Sequence, residues 1–402
     1  MNRIHRPMAE AIVQNLMAIF NQNQKADNVV SNSLKSNKKW GAKDRRFIAE
    51  NTYESIRWWR LLKFCAEINE RKIKDEAFFW ELMGTFFVLS GYDLPDWEEF
   101  SELKPENILV KKDEAQGIRK VRESVPDWID EIGMEEMPNW EEELRALNQP
   151  ADVFLRVNTL QTTKKDLIEK LKKEGVEIEL VPAVKSALKL KKRRNIQHLK
   201  SYTKGHFEVQ DAGSQLISEY LEVEPGMKVI DACAGAGGKS LHLATLMKNK
   251  GDLISMDIKL AKLEELEKRA KRNKVNIIRT ELVKADNIKK RSGWADRVLL
   301  DVPCSGLGVL KRNPDAKWKL KPEFLAEILE IQSVILQDYS QMCKIGGKVV
   351  YATCSVLKSE NVDQVARFIE NNPNFELEKQ TRVSPASTGF DGFYMALLKR
   401  MS

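Results

Sequence analysis

The chain of 402 residues has few cysteines and histidines, the side chains that build disulfide frameworks and zinc sites. Its five cysteines are an odd number, they form no Cys-x-x-Cys pair, and only four histidines accompany them. These counts argue against a disulfide framework and against a structural zinc site. We therefore predict reduced thiols, a cytoplasmic location and no bound metal.

The sequence also lacks a long hydrophobic run. Its densest stretch, residues 78–92, is interrupted by Glu81, Gly84, Ser90 and Gly91, so it predicts a buried helix rather than a membrane span. The first twenty residues lack the compact apolar stretch of a secretory signal. With 42% hydrophobic and 31% charged residues, the chain can bury a sizeable core. No association with a membrane is predicted.

The net charge is small, but the charges are unevenly distributed. Lysine and arginine number 66 against 59 acidic residues, which gives a formal net charge of +7. Residues 123–143 hold nine acids and no base, which we interpret as a solvated face. Residues 185–204 hold eight bases and no acid, which favours a phosphate-facing surface over a solvated face. The predicted nucleic-acid contacts in this segment are Lys191, Lys192, Arg193 and Arg194.

Periodicity divides the chain into three regions. Residues 1–150 place apolar side chains at helical spacing and predict a helical domain, with polar breaks at 21–39 and 91–95. Residues 151–204 mix strand-like and helix-like stretches and predict a small α+β module. Residues 205–402 alternate strands and helices, which predicts an α/β domain with a doubly wound, largely parallel sheet.

Ligands of such sheets bind at the carboxyl ends of the strands. The residues that follow each predicted strand are therefore the candidates for a site. In the α/β region the strands are predicted at residues 227–231, 253–257, 277–283, 297–301 and 348–353.

A glycine-rich turn follows the first of these strands. Its residues are Cys233, Ala234, Gly235, Ala236, Gly237, Gly238 and Lys239. A Walker phosphate loop would need glycine at position 233 and a dinucleotide fingerprint would need glycine at position 240, so both match poorly. The remaining interpretation is the S-adenosylmethionine loop of class I methyltransferases, with a purely steric tight turn as the alternative.

Two carboxylates follow the next two strands. Asp257 ends the second strand, where it could accept both ribose hydroxyls of a nucleoside cofactor or cap the following helix. Asp286 follows the third strand, where it could accept from an adenine amino group or serve in a turn. Together with the loop, these residues predict the cofactor site.

Two cysteines follow the last two strands: Cys304 after Asp301-Val-Pro, and Cys354 after Thr353. Carbon-5 of cytosine is not nucleophilic, but a thiolate that adds to carbon-6 makes it enamine-like, so that it can attack a sulfonium methyl group. Two buried structural cysteines are the alternative. The residues alone leave the division of labour open and would favour Cys304 as nucleophile, because DNA cytosine methyltransferases use a Pro-Cys thiol.

Several segments resemble the Sun/RsmB-type family of RNA cytosine-5 methyltransferases. They are residues 207–211 with 214–216, the glycine loop, 301–306, 312–315 with 317–318, and 351–355 with 360–361. Residues 155–160 and 193–195 look like the small RNA-binding module of that family. The resemblance runs from about residue 125 to the end of the chain.

This resemblance implies a class I Rossmann-like methyltransferase domain and S-adenosyl-L-methionine as cofactor. It implies that Cys354 is the nucleophile, that Cys304 assists release of the methylated RNA, and that Asp301 contacts the target cytosine. The implied cofactor contacts are Cys233, Ala234, Gly235, Ala236, Gly237, Gly238, Lys239, Asp257, Asp286 and Asp301.

The chain departs from the family in the glycine loop. Family members usually read Ala-Ala-Pro-Gly-Gly-Lys, whereas this chain has Gly235 and Ala236 at the second and third of these positions. The change predicts a more flexible free loop and bears on cofactor affinity rather than on the chemistry.

The N-terminal region carries a second, shorter resemblance. Residues 40–46 with Tyr53 and residues 57–58 are similar to the helical NusB-like domain of some bacterial family members, with an ordinary helical bundle as the alternative. An RNA-docking role for Lys43, Arg45 and Arg46 is a further hypothesis.

These observations predict a monomeric, S-adenosylmethionine-dependent enzyme that forms 5-methylcytosine in RNA, with 16S-type ribosomal RNA as substrate. A tRNA cytosine-5 methyltransferase is the alternative enzyme. A non-catalytic RNA-binding assembly factor on the same scaffold is the alternative from another class.

Overall fold

The computed structural model describes residues 4–68 and 75–402. The chain forms two compact units, the first comprising Met1–Asn148 with Leu310–Leu320 and the second comprising Gln149–Val309 with Lys321–Ser402. Residues 310–320 therefore belong to the first unit, although they lie inside the predicted α/β region. The division into three domains stays a prediction.

The first unit is built from helices, as its periodicity predicts. Among the described residues, its α-helices are Arg6–Phe20, Ala26–Ser36, Ala42–Arg57, Trp59–Cys65, Glu76–Leu89, Pro105–Ala115, Arg119–Arg122, Asp127–Glu136, Trp140–Leu147 and Ala316–Lys319, with a 3₁₀ turn at Glu98–Phe100. Ile12, Leu16 and Ile19, which share one face of the first helix, are buried. Phe20 stacks on Trp59 with ring centroids 3.6 Å apart. An apolar core thus joins helices that are distant in sequence.

The predicted polar break at residues 21–39 is wrong, because the helix Ala26–Ser36 lies within it. Only Ala26, Val29 and Val30 of that helix are buried. Their spacing of three and four residues forms a narrow apolar stripe, which is too short to stand out from the polar residues around it.

The interpretation of residues 123–143 as a solvated face is also wrong in part. Glu123, Asp130 and Glu143 are buried. Arg119 binds Asp130 through two nitrogens at 3.0 and 2.9 Å, and Arg122 binds Glu123 at 3.1 Å. The positive charges that pair with these acids come from arginines just before residue 123. Counting charged residues within 123–143 alone therefore misses them.

Residues 310–320 are held by buried polar contacts inside the first unit. The Trp318 indole N–H donates to the carbonyl oxygen of Ile56 at 2.7 Å, and Arg57 donates to the carbonyl oxygen of Lys311 at 3.0 Å. Lys317 is buried, and its Nζ donates to Asn148 Oδ1 at 3.0 Å. Burial lowers the pKa of Lys317 well below its ordinary value. This segment is thus an integral part of the helical core.

The second unit begins with a small antiparallel sheet. Its strands are β1 (Phe154–Val157), β2 (Ile178–Leu180), β3 (Ala187–Leu190) and β4 (Phe207–Val209), in the order β2-β3-β1-β4. Helices Lys164–Lys173 and Lys200–Thr203 accompany it. The first of these helices is capped by Thr163, whose hydroxyl accepts from the Asp166 N–H at 3.1 Å.

A seven-stranded sheet forms the rest of the second unit. Its strands are β5 (Lys228–Asp231), β6 (Asp252–Asp257), β7 (Ile278–Leu282), β8 (Ala295–Asp301), β9 (Cys343–Thr353), β10 (Phe375–Val383) and β11 (Phe393–Arg400). The order is β10-β11-β9-β8-β5-β6-β7, and the pairs from β9 to β7 are parallel. The helices are Ala212–Tyr220, Gly238–Leu246, Leu260–Asn273, Ala285–Lys290, Pro322–Tyr339, Val362–Asn371 and Pro385–Thr388, with 3₁₀ turns at Leu307–Val309 and Ser340–Met342.

An antiparallel hairpin, β10 and β11, closes one side of this sheet and was not predicted. Strand β10 is an edge strand whose side chains are mostly exposed, so its sequence has no continuous apolar run. Strand β11 is buried along six of its eight residues and pairs with β9. The prediction of a largely parallel sheet holds for the five strands from β9 to β7.

The chain order creates a switch point between β5 and β8. From β5 the chain adds β6 and β7 on one side, then returns to place β8 on the other side. Ligands of open α/β sheets bind beyond the carboxyl ends of the strands at such a point. No helix among the described residues is long and apolar enough to cross a bilayer.

Candidate active site

The carboxyl ends of four neighbouring strands bring the predicted site residues to one edge of the sheet. Strand β5 ends at Asp231, β6 at Asp257, β8 at Asp301, and β9 at Thr353, directly before Cys354. Parallel pairing places these ends side by side, although the residues are up to 123 positions apart in the sequence. The site is therefore built by the sheet rather than by any single segment.

The glycine loop joins β5 to the helix Gly238–Leu246 and needs glycine at two positions. Gly235 and Gly237 have φ of +53° and +82°. A Cβ on Gly237 would lie 2.4 Å from Leu266, whereas a Cβ on Gly235 would meet nothing within 4 Å. Gly237 is thus required by both packing and backbone conformation, while Gly235 borders open space.

Asp257 holds the glycine loop from the neighbouring strand. Its Oδ2 accepts from the Gly235 N–H at 2.9 Å, and its Oδ1 accepts from the Lys259 N–H at 2.8 Å. Asp257 does not cap the following helix Leu260–Asn273, whose N-cap residue is Lys259 and has no side-chain cap, and its role toward the ribose stays a prediction. Asp286 is exposed in the first turn of the helix Ala285–Lys290, one strand further from β5.

Lys239 links the glycine loop to the Asp-Val-Pro-Cys segment. Its Nζ lies 2.6 Å from Asp301 Oδ2. Burial acts to lower the pKa of Lys239, but the charge of Asp301 and the hydrogen bond to it outweigh that effect, so the pKa is raised. A charged pair therefore lies between the predicted cofactor loop and the two cysteines.

Asp231 is fully buried beneath the loop. Its Oδ2 accepts from the Ser240 hydroxyl at 2.6 Å, and its Oδ1 has no hydrogen-bond partner within the described part of the chain. Burial, reinforced by the charge of Asp301, raises the pKa of Asp231 to about 7. Burial also raises the pKa of Cys233 well above its ordinary value, with Asp231 as the largest charged contributor.

The two cysteines of the last strand ends lie in contact. Cys304 Sγ and Cys354 Sγ are 3.1 Å apart, and the Cys354 N–H points to Cys304 Sγ at 3.3 Å. The hydrogen bond with Cys354 and burial together raise the pKa of Cys304 well above its ordinary value. Cys304 is therefore held as a neutral thiol beside the sulfur of Cys354.

Comparison with known proteins assigns most of the second unit to one family. Residues 218–399 match the family described as 16S rRNA methyltransferase RsmB/F, and residues 125–197 match the ferredoxin-like domain of RsmF/B-like methyltransferases. The ribosomal RNA small subunit methyltransferase B of Vibrio vulnificus is 30% identical over 288 residues, which cover 69% of this chain and 67% of that protein. The chain belongs to the RsmB/F methyltransferase family.

Two further matches describe the extent of the likeness. The probable ribosomal RNA small subunit methyltransferase B of Bacillus subtilis is 33% identical over 295 residues, which span 69% of this chain but only 65% of that relative. The crystal structure of PH0851 covers 99% of this chain and is itself covered completely, with a TM-score of 0.84 at 23% identity, which supports the fold. Membership of the RsmB/F family confirms the predicted Rossmann-like fold class and S-adenosylmethionine as the cofactor.

Two arginines, left without a role by the sequence analysis, bind the backbone of the RsmB/F-type glycine loop. Arg156 of β1, which is buried, donates to the Gly238 carbonyl oxygen at 2.5 Å. Arg269 donates to the Ala236 carbonyl oxygen at 2.6 Å and to Glu208 at 2.9 Å. These contacts restrain the loop in which this chain replaces the usual proline. A resemblance in residues 155–160 was visible in the sequence, but it did not show that the arginine reaches the loop.

The predicted RNA contacts of this RsmB/F family member lie on a different part of the second unit. Lys191, Lys192, Arg193 and Arg194 are exposed in the segment after β3. Arg194 donates to the carbonyl oxygen of Gly175 at 2.6 Å, which fixes the segment against the end of the helix Lys164–Lys173. Their exposure leaves the charges available to solvent.

Two of the three residues with a hypothesised RNA-docking role in the first unit bind neighbouring groups. Arg45 donates to the backbone carbonyl oxygens of Leu34, Asn37 and Trp40, so it holds the turn between two helices. Arg46 binds Glu50 at 2.8 Å.

Within the described residues, no group of three or more His, Cys, Asp or Glu side chains could hold a metal ion.

The raised pKa of Asp231 predicts a specific dependence of stability on pH. An unfolded aspartate loses its proton near pH 4, whereas folded Asp231 loses it near pH 7. Between those values the folded state binds more protons, so the free energy of unfolding should fall as pH rises, by at most about 1.4 kcal/mol per pH unit. Asp231→Asn should remove this contribution. In denaturant unfolding from pH 4 to 8, the free energy of unfolding of the variant should rise relative to that of the wild type up to about pH 7. A difference between the two free energies that does not change with pH would contradict the raised pKa of Asp231.

Proposed function

We propose that this chain is an S-adenosylmethionine-dependent methyltransferase that forms 5-methylcytosine in small-subunit ribosomal RNA. The observation that carries the proposal is the pair of thiols 3.1 Å apart, Cys304 and Cys354, at neighbouring strand ends. Methylation of cytosine carbon-5 is a reaction that needs covalent help from a thiolate. A second thiol in contact with the first provides a group that can exchange a proton with it.

The residues around the glycine loop fit S-adenosylmethionine. Gly235 borders open space, so the loop leaves room beside its backbone, and the buried Asp231 Oδ1 beneath it has no hydrogen-bond partner within the described chain. The residues that would hold the cofactor are the loop from Cys233 to Lys239, with Asp257, Asp286 and Asp301. When bound, the cofactor supplies an electrophilic methyl group on a sulfonium.

Cys354 is the proposed nucleophile. Its thiolate would form a bond to carbon-6 of cytosine, which makes carbon-5 electron-rich enough to take a methyl group. Lys239 lies near enough for the charge of Cys354 to contribute to the raised pKa of the lysine. The site thus places a cation close to the sulfur that must carry negative charge.

Cys304 is the proposed partner in release. After methylation, solvent water acting as base takes the proton from carbon-5, the electrons of that carbon–hydrogen bond form the 5,6 double bond, and the carbon-6–sulfur bond breaks with its electron pair on sulfur. Because the pKa of Cys304 is raised, this residue stays protonated beside Cys354 and can donate to its departing sulfur. The assignment of the nucleophile to Cys354, which the residues alone left open, follows the family resemblance.

Asp301 is suited to orient the base. Its Oδ2 forms an ion pair with Lys239 Nζ at 2.6 Å, and the side chain is partly exposed at the end of β8. A carboxylate in this position could accept from the exocyclic amino group of cytosine, which distinguishes cytosine from uracil.

The choice of RNA rests on relatives and on charge. The named relatives are small-subunit rRNA methyltransferases, and the match spans 65% and 67% of their lengths. The exposed bases from Lys191 to Arg194 offer a surface for phosphates. Transcripts of 16S rRNA and of tRNA, methylated in parallel, separate the proposed substrate from the alternative.

The two cysteines should fail in different ways. With an RNA substrate and methyl-labelled cofactor, Cys354→Ala should abolish methyl transfer, because no bond to carbon-6 can form. Cys304→Ala should accumulate a protein–RNA adduct, seen as a band that survives denaturation, because release is impaired. Normal turnover of Cys354→Ala would refute the nucleophile, and a Cys304→Ala enzyme without adduct and with unimpaired release would refute its role.

Replacing Lys191, Lys192, Arg193 and Arg194 with glutamine should weaken RNA binding and flatten its salt dependence. If all four contact phosphates, the slope of log K against log salt should fall by about 3. Lys248→Gln with Lys250→Gln is the control, since these exposed lysines precede β6 at the opposite edge of the sheet. An unchanged slope in the fourfold variant would show that the segment is a solvated face.

A further inference from the structure

The same dipeptide, Cys-Ser, occurs at both thiols. Ser305 follows Cys304 and Ser355 follows Cys354, and the two serine side chains are buried. Their hydroxyl oxygens lie 3.3 Å apart. Each thiol is therefore attached to a buried residue whose side chain meets its counterpart behind the site.

Both serines bind one buried carboxylate. Glu360 Oε1 accepts from the Ser305 N–H at 2.7 Å, and Oε2 accepts from the Ser305 hydroxyl at 2.5 Å and from the Ser355 hydroxyl. Gln332 Nε2 donates to Oε1 at 3.0 Å. Four donors thus converge on the four lone-pair positions of one carboxylate.

Glu360 itself is fixed from the opposite side. Its carbonyl oxygen accepts from the Tyr351 hydroxyl at 2.7 Å, and Gln332 also donates to the carbonyl oxygen of Pro303 at 3.0 Å. Glu360, Tyr351 and Gln332 are all completely buried. A buried carboxylate with every acceptor position filled has little freedom to shift, since any movement leaves a donor without its partner.

We propose that Glu360 is a positioning residue that sets the separation of the two thiols by holding Ser305 and Ser355 on one carboxylate. The proposal that Glu360 sets this separation is argued from the contacts alone. The consequence for catalysis rests on the proposed function. Attack by Cys354 and release assisted by Cys304 both need the two sulfurs to stay within reach of each other and of one cytosine. A displacement of about 1 Å can cost on the order of 100-fold in rate.

The direct test measures how readily the thiols can be joined. Diamide takes two electrons and two protons from a pair of neighbouring thiols, forming a disulfide while its N=N bond is reduced to a hydrazine. Peptide mapping by mass spectrometry then quantifies the Cys304–Cys354 disulfide against time. The wild type should form it readily, and Glu360→Ala should form it at least tenfold more slowly.

Graded variants separate positioning from general damage. Glu360→Gln keeps one acceptor oxygen and should lie between the wild type and Glu360→Ala. Adding Ser305→Ala to Glu360→Ala should change the rate little, because both act through one carboxylate. Glu219→Gln is the matched control, since that partly buried carboxylate accepts from the Ser186 hydroxyl at 3.4 Å and should leave the rate unchanged.

The activity assay forms a second arm. Glu360→Ala should lower kcat for methyl transfer on the order of 100-fold while the KM for RNA stays near its wild-type value. If the wild type methylates no RNA, the proposed function fails, and the disulfide rate still decides the role of Glu360.

A wild-type disulfide rate in a Glu360→Ala protein that retains its thermal unfolding temperature and its cofactor binding would overturn the proposal. If Glu360→Ala does not fold, Ser305→Ala and Ser355→Ala replace it, because each removes one arm of the contact. Wild-type rates in both serine variants would equally overturn the proposal.

Discussion

The parallel pairing of β8 with β9 is the constraint on which the site depends. In that register Leu300 lies opposite Tyr351 and Asp301 opposite Ala352. Cys304 and Cys354 follow these residues by three and two positions, so the register brings together two thiols that are 50 residues apart. A slip of one residue would turn the side chains of a strand to the other face. The pairing of β5 with β8 acts in the same way on Lys239 and Asp301.

This arrangement brings charged groups together at the site, some of them partly exposed and others buried. Lys239 and Asp301 neutralise each other, and Glu360 is satisfied by four donors. Asp231 differs, because the structure meets its burial by raising its pKa to about 7. The polar contacts therefore fix the geometry of the site at some expense in stability.

Many of the candidate site residues could be predicted because they lie in short, contiguous segments of the sequence. The glycine loop, Asp257 and the two cysteines stand at or shortly after the ends of predicted strands, and the ends of parallel strands share an edge. The division of labour between the thiols could not be derived in this way. The residues alone would favour Cys304, and the proposal that Cys354 is the nucleophile rests on the family resemblance.

The features that were missed depend on tertiary contacts. The helix Ala26–Ser36 has only three buried residues, and β10 is an exposed edge strand, so neither carries a strong periodic signal. Residues 310–320 belong to the first unit through contacts of Trp318 and Lys317 with distant helices. For Glu360 a signal was present, since residues 360–361 are among the segments that resemble the family.

The central claim is that Cys354, and not Cys304, bonds to the target cytosine. Its most direct test uses RNA carrying 5-fluorocytidine. Elimination requires removal of a proton from carbon-5, and the fluorine that replaces the hydrogen cannot be removed as a cation, so the covalent intermediate is trapped. Digestion and mass spectrometry of the wild-type protein after reaction should locate the added nucleotide on the peptide that contains Cys354. A nucleotide on the peptide that contains Cys304, or no adduct while unmodified RNA is methylated, would contradict the account.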